Sequence, residues 1–117
     1  MSPKRGDRAA PPPIHGEWDI RFDSGEAAKG WEELCQQAPH NTRTAYDAIR
    51  TQPRPEPPTS RHHQLKGKLA HATYAGRILE QRQYEVTSGG RLWYLIDDVK
   101  RTVWITYAST RHPKATD

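Results

Sequence analysis

The side chains whose types and spacing suit chemistry on an anion lie in the second half of the chain: Arg61, His63, Lys66, Lys68, Arg82, Arg91, Arg111 and His112. Lys66 and Lys68 flank Gly67 in the word LKGKL, where glycine lets the backbone turn tightly. Arg91 follows Gly89-Gly90 and opens an apolar segment, and a planar guanidinium there can hold phosphate through two parallel hydrogen bonds. Arg111 and His112 sit together past the last apolar segment. An imidazole with its ordinary pKa of about 6.5 suits proton transfer near neutrality, so His112 is a candidate general acid. His62-His63 precede the lysine loop, and one of them is a candidate base. The same residues read equally as solvated loop lysines, a strand-start arginine and a tail histidine. A His-His pair also raises a metal site. Zinc needs three or four converging ligands, however, and Cys35 falls on the core side of a helix, so neither metal nor cofactor is expected.

Charge supports an anionic partner. The net charge is +4 over 117 residues, and it is uneven. Residues 1–60 carry 8 Lys and Arg against 9 Asp and Glu, whereas residues 61–117 carry 10 against 5. A basic half on a small domain points first to nucleic acid. Apolar residues make up 33 % of the chain, so the core must draw on large side chains such as Trp18, Trp31, Trp93 and Trp104. With one cysteine, no disulfide can form within the chain, which suits a reducing cytoplasm. No apolar run approaches the roughly 20 residues of a membrane span, and no secretory signal is visible.

The elements that must position these residues follow from periodicity. Residues 1–16 are polar and proline-rich and read as a flexible arm; residues 17–117 read as one domain. Trp18, Ile20 and Phe22 alternate with charged residues, which predicts a first strand. Ser24 is a plausible N-cap for a helix whose apolar stripe is Ala27, Trp31, Leu34, Cys35 and Ala38. Pro39 is expected to end that helix, and Asn41 or Thr42 to cap a second one carrying Ala45, Tyr46 and Ile49. The run Pro53 to Pro58 is a stiff connector. Strands are predicted from Ile78 to Val86, Arg91 to Ile96 and Arg101 to Tyr107, with Ser88-Gly89-Gly90 turning the first hairpin. The order is strand, two helices and a three-stranded antiparallel meander: an α+β domain, β-α-α-β-β-β.

That order, with these local words, resembles the RelE/ParE toxin superfamily. The resemblance is carried by Ile20 to Asp23, by Leu65-Lys66-Gly67, by YEVTSGGRLWYLIDD from Tyr84 to Asp98 and by TRHPK from Thr110 to Lys114. It spans roughly residues 17–114, and it implies a RelE-like fold and bacterial origin. RelE-like members cleave mRNA in the ribosomal decoding site, against 16S rRNA, without a metal. ParE-like members inhibit DNA gyrase instead. Both are neutralised by a small cognate antitoxin.

Cleavage of RNA without a metal needs a base for the 2′-hydroxyl, cations for the phosphate and an acid for the leaving 5′-oxygen. The resemblance implies transition-state stabilisation by Arg91 and Arg111, an acid role for His112, and phosphate positioning or base catalysis by Lys66. It implies phosphate contact by Lys68, Arg82, His63 and Arg61. Several RelE-like nucleases end in a tyrosine that stacks on a base. Here the stretch PKATD has none, so stacking falls to Tyr107 or Trp93 or is absent. The expectation is a ribosome-dependent mRNA endoribonuclease toxin, with a ParE-like gyrase inhibitor or a non-toxic interaction module as the alternatives.

Overall fold

The computed structural model describes residues 3–9 and 11–111. It has two helices on one face of a mixed six-stranded sheet, an α+β arrangement. Strand β1 (Asp19–Phe22) leads into α1 (Gly25–Gln37) and α2 (Pro39–Thr51). Five strands follow: β2 (His62–Gln64), β3 (His71–Tyr74), β4 (Arg77–Glu85), β5 (Arg91–Asp97) and β6 (Thr102–Ser109). The sheet order is β1-β6-β5-β4-β2, and β3 also pairs with β4. No helix among the described residues is long and apolar enough to cross a membrane.

The three-stranded meander is therefore β4, β5 and β6, but the sheet is larger than expected. β1 joins it parallel to β6 instead of packing on it, and β2 and β3 both pair antiparallel with β4. The β3–β4 hairpin turns on Ala75-Gly76, both at positive φ (53° and 79°), the geometry that matches the twist of paired strands.

Ser24 caps α1 as expected, its hydroxyl accepting from the Ala27 N–H at 3.1 Å. Pro39 does not merely stop α1; it starts α2, at a position whose N–H has no helical partner to lose. Thr42 does not cap α2. It is buried, and its hydroxyl donates to the Leu34 carbonyl, satisfying the open end of α1.

Nor is the proline-rich arm free of the fold. Gly6 and Ala9 donate to the Phe22 and Ile20 carbonyls, and Asp7 accepts from the Phe22 N–H. The arm thereby covers the outer edge of β1, which would otherwise offer unpaired backbone groups.

The core lies between the helices and one sheet face. Phe22, Leu34, Ile49, Leu92, Tyr94, Val103 and Ile105 are almost fully buried there. Leu65, Leu95 and Trp104 are also buried but lie outside that core, on the side where the Tyr74 ring of β3 meets Trp104 and Gln81 bonds to the 3-10 turn Gly67–Leu69. On that side Asp97 is fully buried, pairs with Arg77, and accepts from Trp104 Nε1 and from the Lys100 N–H. Burial alone would raise its carboxyl pKa, but these partners outweigh burial and hold it below the ordinary value.

Candidate nucleic-acid interface

The sheet face turned away from the helices carries a row of side chains that crosses four strands. Strand register puts His63 (β2) beside Gln83 (β4), Gln83 beside Trp93 (β5) and Trp93 beside Tyr107 (β6). Trp93 and Tyr107 are half-buried, with ring centroids 5.0 Å apart and planes tilted by 41°. Their pairing depends on a β-bulge. The register shifts between Trp93 and Tyr94, so Thr106 is the extra residue on β6. Without that extra residue, strict alternation from Trp104 would turn Tyr107 into the core. With it, Trp104 and Tyr107 share the open face, and the Thr106 hydroxyl donates to Gln81 Oε1 at 2.8 Å.

Cations stand around this row. Arg111 is exposed just past β6, where Thr110 lies against Gly89 of the β4–β5 hairpin. Lys68 is exposed on the 3-10 turn, which is tied to the open face by the bond from Gln81 Nε2 to the Leu69 carbonyl at 2.9 Å. Arg61 is exposed beside β2, where it donates to the Glu85 carbonyl and pairs with the Glu85 carboxylate at 3.7 Å. Lys66 is exposed and lines, with Arg54, His63, Gln64 and Arg82, a cleft of about 680 Å³ under the Pro55–Ser60 connector.

His63 has a defined tautomer. Its Nδ1 lies 3.1 Å from the Thr59 carbonyl oxygen, which can only accept. Nδ1 therefore carries a proton, and in the singly protonated ring the lone pair is on Nε2. That is what a general base for a sugar hydroxyl requires.

Arg91, expected to stabilise the transition state, and Arg82, expected to contact phosphate, are instead consumed by the fold. Arg91 is 6 % exposed; its Nη1 donates to the Thr87, Ser88 and Gly90 carbonyls, and its Nη2 pairs with Glu85. It closes the glycine hairpin from within. Arg82 points to the helix side, paired with Glu80, which also holds Arg54, itself bidentate on Asp98. Burial would raise the Glu80 carboxyl, but the two arginines outweigh it and hold it low. His112 lies outside the described residues.

Arg91→Ala removes the side-chain donor of the Thr87 and Ser88 carbonyls and leaves Glu85 with Arg61 alone and the Gly90 carbonyl with only backbone donors, at an expected cost of about 2–4 kcal/mol. Urea unfolding checks it. A variant as stable as the parent would return Arg91 to the role of a free phosphate ligand.

Periodicity alone did not single out Gln83. Its signal was the alternation of Gln81 and Gln83 with Arg82 and Tyr84, which puts two amides on the open face. Among the described residues no three His, Cys, Asp or Glu side chains converge as a metal site would need. Compared with known proteins, the chain matches no family model, no curated protein and no solved structure.

Proposed function

We propose that the protein is a toxin of the RelE kind, acting as a ribosome-dependent, metal-independent mRNA endoribonuclease in the cytoplasm and held in check by a cognate antitoxin protein. The observation that carries this reading is the His63–Gln83–Trp93–Tyr107 row with exposed cations around it. Single-stranded RNA is recognised by stacking of splayed bases on aromatic rings and by cations along the backbone. Trp93 and Tyr107 supply the rings. Lys66, Lys68, Arg61 and Arg111 supply the charge.

In the proposed reaction His63 Nε2 takes the proton of a 2′-hydroxyl. The 2′-oxygen then attacks the adjacent phosphorus, and the bond to the 5′-oxygen breaks. A 2′,3′-cyclic phosphate remains, and the 5′-oxygen leaves as a hydroxyl after protonation, the role expected of His112. Lys66 and Arg111 offset the charge that builds on the phosphate.

The test is to add the purified protein to programmed ribosomes and map the mRNA ends, with single-stranded RNA binding measured alongside. Loss of stacking in Trp93→Ala/Tyr107→Ala is expected to weaken RNA binding by about ten- to a hundredfold. His63→Ala is expected to abolish cleavage while binding persists. Absence of cleavage together with inhibition of gyrase supercoiling would replace this reading with the ParE-like one.

A further inference from the structure

We propose that Gln83 selects the base that stacks on Trp93 and Tyr107, favouring a base with a keto group at pyrimidine C4 or purine C6 (uracil or guanine) over one with an amino group there (cytosine or adenine). This inference rests on the RNA-binding reading above. An indole N–H can only donate, so the Gln83 atom 2.8 Å from Trp93 Nε1 is the amide oxygen. The orientation of the amide is thereby fixed, and its NH₂ points away from that bond.

That NH₂ has no acceptor among the described residues. Nor is it sealed inside: among the described residues the side-chain polar atoms both buried and unpartnered are Asp23 Oδ1, Arg82 Nε and Arg91 Nε. Gln83 therefore offers a donor at the surface although the residue as a whole is only 7 % exposed. Gln81, the other glutamine of this face, is held at both ends of its amide. Its oxygen accepts from Thr106, and its nitrogen donates to Leu69. Among the described residues of this face, the amide nitrogen without a partner is thus the one beside the aromatic pair.

A base lying on those rings turns its edge toward Gln83. A keto oxygen there accepts from the NH₂. An amino group there sets donor against donor, which disfavours binding by about three- to tenfold. Gln83→Glu replaces the NH₂ with an acceptor while keeping an oxygen for Trp93 Nε1. Trp93→Phe keeps a ring but frees the amide to rotate.

The experiment measures binding of full-length protein to uridine and cytidine homo-oligonucleotides of equal length, two pyrimidines that stack alike. The parent is expected to prefer oligouridine by about three- to tenfold. In Gln83→Glu the preference reverses, and in Trp93→Phe it disappears. If the parent binds both oligonucleotides equally, or the ratio is unchanged in both variants, the role of Gln83 is overturned while the RNA-binding reading stands. If the parent binds neither, the RNA-binding reading falls and this inference with it.

Discussion

Gly30→Ala is expected to lower stability by about 3 kcal/mol, a drop of roughly 10 °C in melting temperature for a domain of this size. By helix propensity alone the change should help, because alanine exceeds glycine by about 1 kcal/mol in a helix interior. Packing decides otherwise. A Cβ built on Gly30 would sit 1.9 Å from the Ala108 carbonyl oxygen and 2.7 Å from its carbon. Both are backbone atoms of β6 and cannot swing aside. Helix α1 would have to lift from the strand on which it rests, opening space beside Ala108 and disturbing the neighbouring Tyr107. Gly25→Ala is the control: it lies at the start of the same helix, with nothing within 4 Å of the added methyl. Thermal unfolding of the pair tests the argument, and equal stability of Gly30→Ala and the parent would refute it.

Gly30 also marks a limit of what the sequence reveals. The apolar stripe of α1 was legible because Ala27, Trp31 and Leu34 recur at helical spacing, and Ser24 announced its start. A glycine in mid-helix reads from sequence as a weakness. Its use appears only when the facing strand is known. The strands followed the same division. β5 and β6 were legible from their aromatic and β-branched content. The β3–β4 hairpin was not, because Ala75-Gly76 lacks the asparagine or aspartate that announces such a turn. β2 has three residues, too few for a period to show. The arm reads as disordered by composition because the backbone bonds that hold it need no apolar side chain.

The candidate site divides the same way. The basic character of residues 61–117 is a matter of composition, and it was legible. Which cations are free is a matter of partners, and it was not. Arg91 and Arg111 look alike in the sequence, each beside an apolar strand. One is enclosed by the carbonyls of its own hairpin, and the other is exposed. The Trp93–Tyr107 pair was hidden for a different reason. One extra residue, Thr106, reverses which side of β6 faces outward, and no local pattern announces a bulge.

Acidification is expected to cost the protein about 3 kcal/mol between pH 6.5 and pH 4 through His62 alone. The residue before His63 has a wholly different setting. It is 6 % exposed, edge-on to the Tyr84 ring at 4.8 Å, and bonded through Nε2 to Tyr94 Oη. Tyr94 gives its own proton to the Pro53 carbonyl at 2.6 Å, so it must accept from His62. The neutral ring is thus fully accommodated, and it anchors the connector to the sheet. A second proton would place a charge in a buried site near Arg82 and His63. Burial first, then those two neighbours, push the His62 pKa down from 6.5 to about 4. Because the folded value lies below the unfolded one, the stabilisation is complete above pH 6.5. It is lost progressively on acidification and levels off below pH 4. The carboxylates Glu80, Asp97 and Asp98 are held below their ordinary values, so their own losses fall at the acid end of this window or beyond it. Asp23, raised by burial, works in the opposite sense. The measurement is urea unfolding at a series of pH values for the parent and His62→Gln, which keeps an N–H for Tyr94 but cannot titrate. The variant should lose about 3 kcal/mol of the pH dependence over this range, whatever its stability at neutral pH. Identical slopes for the two proteins would place the acid sensitivity elsewhere.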